Sequence, residues 1–374
     1  MEINNLTDLD LPPRILLGPG PSMVPPSVLR AMASPLVGYL DPSYLEVMSE
    51  VKDLLRYTFK TQNKHTLPIS GTGSAGMEAA LCNFIEPGDS VLIAVNGFFG
   101  ERMAEISQRY GAEVDTISLP WGSIFSIKEI KQRLSKKHYK LLALIHGETS
   151  TGTVQTDISG IADQVHQQGA ILILDTVASL GGVPVEVDDW DVDVCYSGSQ
   201  KCLSAPPGLA PITISPRAWE IIENRTNKVA NWYLDLLGIW RYWGDSPSYH
   251  HTGPASMIFA LREALRLVVE EKIENRIIRH RNIAEVLWEG LENLGLSPRV
   301  PLEYRLASLT TPLLPQGLDE TSIRSRLLNK FNIEIAGGFG PLAGKIWRIG
   351  LMGFSCQKEN VTLLLSSLEK LLSK

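Results

Sequence analysis

Lysine 201 sits in a bed of small residues, Ser197-Gly198-Ser199-Gln200-Lys201-Cys202, just after the apolar run Val192–Tyr196. Upstream, Ile171-Leu172-Ile173-Leu174 ends in Asp175. An acid at the end of one buried strand and an amine in the turn after the next can face each other across a pocket. A lysine amine condenses with an aldehyde, and a carboxylate holds a proton on a pyridine nitrogen, which makes the ring an electron sink. Together they suit pyridoxal 5′-phosphate (PLP). The competing reading is a surface lysine in a turn and an aspartate capping a helix.

A phosphate needs its own site. Gly71-Thr72-Gly73-Ser74-Ala75-Gly76 follows an apolar run and opens a helical pattern. Small residues there let backbone N–H groups approach an anion at a helix N-terminus. The loop also matches the dinucleotide fingerprint, so an NAD dehydrogenase is a rival. Against it, Asn96-Gly97 stands where that fingerprint wants an acid, Pro68 interrupts the preceding short strand, and Lys201 is left without a role. The hydroxyls of Thr72 and Ser74 suit a terminal phosphate monoester better than a pyrophosphate. Three further stretches carry candidates. Asn96-Gly97-Phe98-Phe99-Gly100 offers Phe99 as a face for a flat ring, or as core. His146-Gly147-Glu148-Thr149-Ser150-Thr151-Gly152 puts polar residues at a strand's carboxyl end. Arg348, alone in Trp347-Arg348-Ile349-Gly350, needs a partner, either a substrate carboxylate or a buried structural acid. The adjacent His250 and His251 point in different directions and lack a neighbouring acid or cysteine, so no metal is expected.

These residues need a scaffold. Short apolar runs at Thr66–Ile69, Val91–Val95, Leu141–Ile145, Ile171–Leu174, Val192–Tyr196 and Leu209–Ile214 alternate with helical patterns at Met77–Phe84, Phe99–Arg109, Ile127–Leu134 and Ile161–Gln167. That alternation predicts an α/β fold with a mostly parallel sheet covered by helices, and ligands at the strands' carboxyl ends. Before it, Leu45, Met48, Val51, Leu55 and Phe59 recur at helical spacing. After it, Met257 to Leu294 reads as helical and heavily charged, with Glu270, Glu271, Arg276, Arg279 and Arg281 on a solvated face. A smaller α+β unit follows, with a strand at Ala307–Leu314, a helix at Thr321–Phe331, strands near Ile333–Ala336 and Ile346–Leu351, and a last helix Glu359–Leu372. The expected division is an arm over 1–20, a large domain over 21–270 and a small one over 271–374.

Composition fits a chain of two domains. It has 374 residues, 44% hydrophobic and 20% charged, the balance of a globular protein. A net charge of −6 gives no reason to expect nucleic acid or an anionic membrane as partner. The four cysteines have neither zinc nor disulfide spacing, and the first residues do not read as a secretory signal, so a cytoplasmic location is expected.

The motifs Ser197–Lys201, Leu174–Gly182, His146–Gly152 and Lys345–Gly350 together resemble the class V aminotransferases, in particular the alanine–glyoxylate, serine–glyoxylate and serine–pyruvate group. The resemblance runs from about Gly18 to the last helix. It implies a PLP enzyme of fold-type I with a seven-stranded type of sheet, working as a homodimer with shared active sites on small amino acids and 2-oxo acids. It implies that Lys201 carries the cofactor and moves the substrate proton, that Asp175 pairs with the pyridine nitrogen and that Phe99 stacks on the ring. Thr72, Gly73, Ser74 and Gln200 would hold the phosphate, Thr149 the ring's polar edge, and Arg348 the substrate carboxylate. Tyr249 and Thr252 would reach the phosphate of the neighbouring subunit. Relatives commonly have tryptophan at Phe99 and often histidine at Ser74. The implied reaction passes an amine from alanine or serine to glyoxylate, or to pyruvate, giving glycine and a 2-oxo acid. The alternatives are a PLP lyase such as a cysteine desulfurase, with Cys356 as the reactive thiol, and a non-catalytic PLP-binding homologue.

Overall fold

The computed structural model describes residues 8–373. Its centre is a seven-stranded sheet. In chain order the strands are β1 (His65–Ser70), β2 (Ser90–Val95), β3 (Glu113–Ser118), β4 (Leu141–Ile145), β5 (Ile171–Asp175), β6 (Val194–Tyr196) and β7 (Leu209–Ile214). In space they run β1-β7-β6-β5-β4-β2-β3. Every pairing from β6 to β3 is parallel, and β7 alone runs against both its neighbours.

The sequence pattern explains this order. β4, β5 and β7 are apolar and wholly buried, as strands covered on both faces must be. β1 carries Pro68 and lies at an edge, where a missing ladder donor is tolerated. β3 is the other edge. Its Glu-Val-Asp-Thr-Ile-Ser holds only two apolar residues, separated by Asp-Thr, and none of the six is fully buried, which is why no apolar run announces it. The helix after β1 starts at Gly73, earlier than Met77, and packs on β6 and β7. There the Cβ of any larger residue at Gly76 would lie 2.9 Å from Ala210 Cβ, so that glycine sets how closely helix and sheet approach.

The stretch expected as one long helix is two, Ala255–Glu271 and Ile273–Asn293, broken at Lys272, whose φ is +66°. The charge around the break is not a solvated face. Arg276 is 6% exposed and donates to Glu271 at 2.7 Å and to the carbonyl of Cys202 at 2.6 Å. Arg279 joins the same Glu271 at 2.6 Å. Arg281, paired with Glu285, and Glu270, paired with Arg266, lie toward solvent as expected.

Beyond the break, the strands are shorter than the sequence suggests. They are Leu309–Thr310, Ile333–Glu334, Ala336–Gly337 and Trp347–Gly350, with helices Glu320–Phe331 and Lys358–Leu372. One apolar cluster fills the sheet region from Val28 to Leu265. A second, around Leu287, Trp288, Ile349 and Leu351, reaches back to Leu17, Ala178 and Cys202. Part of the expected arm is ordered into this second body. Ile15–Leu16 pairs in parallel with Ile333–Glu334; residues 1–7 lie outside the described part. Among the described residues no helix is long and apolar enough to cross a membrane.

Candidate active site

Asp175 is the last residue of β5, and the parallel register sets it opposite Tyr196, the last residue of β6. Both side chains are buried. Asp175 Oδ1 accepts from the Val177 N–H at 2.8 Å, and Oδ2 accepts from the Tyr196 hydroxyl at 2.7 Å. Burial pushes the carboxyl up to about 6, against the pull of those two donors. The turn after β6 brings Lys201 to the same cavity. Its ammonium donates to the carbonyl of Pro19. The N-terminal segment lies across this turn, with Ser22 N–H on the Gln200 carbonyl at 2.8 Å and Ser22 Oγ on the Lys201 carbonyl at 2.9 Å. A Cβ at Gly20 would stand 2.6 Å from Lys201 Nζ, and the φ there is +118°, so both space and backbone demand glycine. Burial lowers the lysine to about 8. No carboxylate among the described residues forms a salt bridge with it. A neutral amine is therefore within reach at ordinary pH, as a nucleophile or base requires.

The helix Gly73–Cys82 points its N-terminus into this cavity. Its N-cap, Thr72, makes no side-chain capping bond, and while the Ala75 and Gly76 N–H groups donate to the Thr72 carbonyl, those of Gly73 and Ser74 stay available to an anion. Gly73 lies against Val177, where a Cβ would come within 3.1 Å. Gln200 Oε1 is buried there without a partner. Arg102 reaches in from the next helix and donates to Ser74 Oγ at 3.2 Å.

Phe99 opens the wall on the β2 side. Its N–H donates to Glu148 Oε2 at 3.1 Å, and Arg102 Cζ stands 4.9 Å from its ring. Glu148 is 1% exposed and also accepts from the Ser150 N–H and hydroxyl at 2.9 and 2.7 Å. Burial still pushes it up to about 7. Gly97 is needed because a Cβ there would meet Glu148 Cγ at 2.4 Å. Thr149 follows in the same wall.

Arg348 lies on the strand Trp347–Gly350, between Trp347 and Ile349 of the second apolar cluster. It is 5% exposed, donates from Nε to the Gly337 carbonyl at 2.7 Å, and lies with Cζ 3.7 Å from the Phe339 ring centre. No carboxylate among the described residues pairs with it, and burial brings it down to about 10 while Glu148 opposes that shift. Thus Thr72, Gly73, Ser74 and Phe99 share one cavity with Thr149, Asp175, Gln200 and Lys201. Arg348 is outside its wall but close enough for its charge to act on Lys201. Tyr249 and Thr252 are elsewhere. Tyr249 is 55% exposed, and its hydroxyl and that of Thr252 bond to each other at 2.8 Å.

The family model for aminotransferase class-V matches residues 15–340. The chain is 41% identical to (S)-ureidoglycine–glyoxylate transaminase of Bacillus subtilis, covering 98% of this chain and 92% of that one. It is also 41% identical to alanine–glyoxylate aminotransferase of Callithrix jacchus, covering 98% and 89%. Among solved structures, alanine–glyoxylate aminotransferase from Nostoc sp. superposes with a TM-score of 0.97 at 50% identity, covering 98% of this chain and 97% of that one. The chain belongs to the class V aminotransferases. It is a PLP-dependent enzyme with the fold-type I architecture.

The cavity of this aminotransferase fits that cofactor on its own terms. It offers free N–H groups at a helix N-terminus for a phosphate, a Gln200 amide with an unpartnered end, a buried amine without a salt-bridge partner and a buried acid. Four contributors escaped the sequence reading: Tyr196, Glu148, Arg102 and the Pro19 carbonyl. Tyr196 reads as the end of a strand, and only pairing register aims it at Asp175. Glu148 was visible as an acid at a strand's carboxyl end. Arg102 follows Phe99 at the three-residue spacing that shares a helix face. Nothing local in the sequence marks Pro19.

Proposed function

We propose that this aminotransferase transfers the amino group of a small amino acid, alanine or serine, to glyoxylate, giving glycine and a 2-oxo acid. The observation that carries the reading is Arg348. It is a buried guanidinium without an acid partner, on the small-unit side of the cavity that holds Lys201 and Asp175. A substrate α-carboxylate satisfies it, and its planar fork takes such a group bidentately. The relatives named for alanine–glyoxylate and ureidoglycine–glyoxylate exchange support glyoxylate as the acceptor.

When bound, PLP supplies the carbonyl that captures amines and the ring that takes up negative charge. The remaining work falls to this chain. Lys201, whose charge burial disfavours, would carry the cofactor and then move the proton from the substrate Cα. Asp175 in its ionised form keeps a proton on the ring nitrogen. Phe99 covers a ring face, and Thr149 meets the ring's polar edge. Gln200, Ser74 and the first turn of the Gly73–Cys82 helix hold the phosphate. Tyr249 and Thr252 are exposed on their own chain and serve a second copy, so the working form is a homodimer. Exposed Leu36, Leu40 and Trp232 support such a covered face. The division into a large unit over 21–270 and a small one over 271–374 puts Arg348 on a separate body from Lys201. Four free, buried cysteines suit a reducing cytoplasm.

The lyase reading asks for a reactive thiol. Cys356 is wholly buried, and burial pushes its thiol up to about 12, which disfavours the nucleophilic thiolate. Incubating the PLP-loaded protein with alanine, serine or (S)-ureidoglycine and glyoxylate, and quantifying glycine, tests the proposal. Glycine formation with alanine or serine is expected. Glycine formed only from ureidoglycine, or sulfide released from cysteine instead, would overturn it.

A further inference from the structure

We propose that Tyr196 is a positioning residue that aims and ionises Asp175, so that the carboxylate discriminates for a ring carrying a nitrogen at that place. The inference rests on the reading of Asp175 as the partner of the cofactor nitrogen. The geometry is specific. Tyr196 ends β6 in direct register with Asp175, and its hydroxyl donates at 2.7 Å to Oδ2 while the Val177 N–H holds Oδ1 at 2.8 Å. Two donors from two elements fix the plane of the carboxylate and leave lone pairs for one more donor in the cavity.

The phenol has nowhere else to go. Tyr196 has no exposed surface, and its ring is held by the Gly73–Cys82 helix, where a Cβ at Gly76 would lie 3.3 Å from Cδ2. Burial and the neighbouring acid raise the phenol well above its ordinary value, so it remains a proton donor. The acid needs that help, because burial opposes its charge. Lys201 and Arg102 act the other way, through space. Tyr196 is the only side chain among the described residues that hydrogen-bonds to it. A hydrogen bond to an ionised group is stronger than one between neutral groups, enough to decide which protonation state a buried acid adopts.

Binding to the apoprotein tests this without turnover. Dissociation constants are measured for PLP and for its 1-deaza analogue, which has C–H in place of the ring nitrogen. The wild type is expected to prefer PLP. Tyr196→Phe is expected to cut that preference about tenfold, by weakening PLP while leaving the deaza analogue nearly unchanged. Equal weakening of both ligands would mean a merely structural role and overturn the proposal, as would an intact preference. A wild type that binds both alike would instead sink the assignment of Asp175 to the ring nitrogen, a different failure. Site-specific 3-fluorotyrosine at position 196 keeps the packing and strengthens the donor, which covers a poorly folded Phe variant. It is expected to enlarge the preference, and an unchanged preference would overturn the proposal.

Discussion

Two aspartates, each almost without exposed surface, sit at opposite ends of the same pair of strands, and they are treated in opposite ways. Asp193 precedes β6 at the amino edge. It accepts from the Leu172 N–H at 2.8 Å, the His166 ring at 3.0 Å, Ser215 Oγ at 3.0 Å and Arg217 Nε at 2.9 Å. Burial pushes its carboxyl up, but His166, Leu172 and Arg217 together bring it below the ordinary range. Asp175 closes β5 at the carboxyl edge with a single N–H and a single phenol, and its carboxyl stays raised. One edge spends its polar groups on the fold. The other keeps an acid, an amine and a guanidinium incompletely satisfied, which is how a buried site reserves capacity for a ligand.

Exchanging the two acids one at a time would break this contrast if it is wrong. Asp193→Ala takes the acceptor from the buried Leu172 N–H and from His166, while Arg217 keeps its water, and is expected to cost about 1–3 kcal/mol of stability, read by chemical denaturation. The protein that remains folded should keep its kcat. Asp175→Asn is expected to do the reverse, lowering kcat about 10²–10³-fold with the apoprotein's melting temperature unchanged or higher. Loss of stability there with normal turnover would put the two residues in the wrong classes. Arg348→Gln is expected to raise KM for both substrates about tenfold or more, since it removes a charged hydrogen-bonding partner of the carboxylate. A kcat effect without a KM effect would move Arg348 out of that role.

The smallest effect is in pH. The folded-state value of Glu148 is raised from 4.5 to about 7, so the folded form binds the extra proton. Its contribution to apoprotein stability is therefore full below about 4.5 and is lost as pH rises through about 7. Glu148→Gln should flatten the stability profile across that window by on the order of 1 kcal/mol. An identical profile in the variant would mean that Glu148 is ionised throughout.

The legible parts of this molecule were those written in one stretch of chain. Lys201 and Asp175 announce themselves because each ends or follows an apolar run that can only be a buried strand. The edge strand Glu113–Ser118 does not, since half its residues are exposed and only Val114 and Ile117 are apolar. The break at Lys272 was hidden because a positive φ on lysine has no sequence signal, and the buried Arg276 because its partners, Glu271 and the Cys202 carbonyl, are assembled by that break. Tyr196 and Glu148 fall in the same class. Each was quoted within a motif, but register and backbone approach decide what they touch. Tyr249 and Thr252 came from family resemblance alone, and on a single chain they stand exposed.

Borohydride reduction of the PLP-loaded protein, followed by peptide mass spectrometry, tests the central claim most directly. The account predicts the pyridoxyl group on the peptide containing Lys201, and none in Lys201→Ala. Modification of a different lysine in the wild type, or undiminished labelling in that variant, would contradict it.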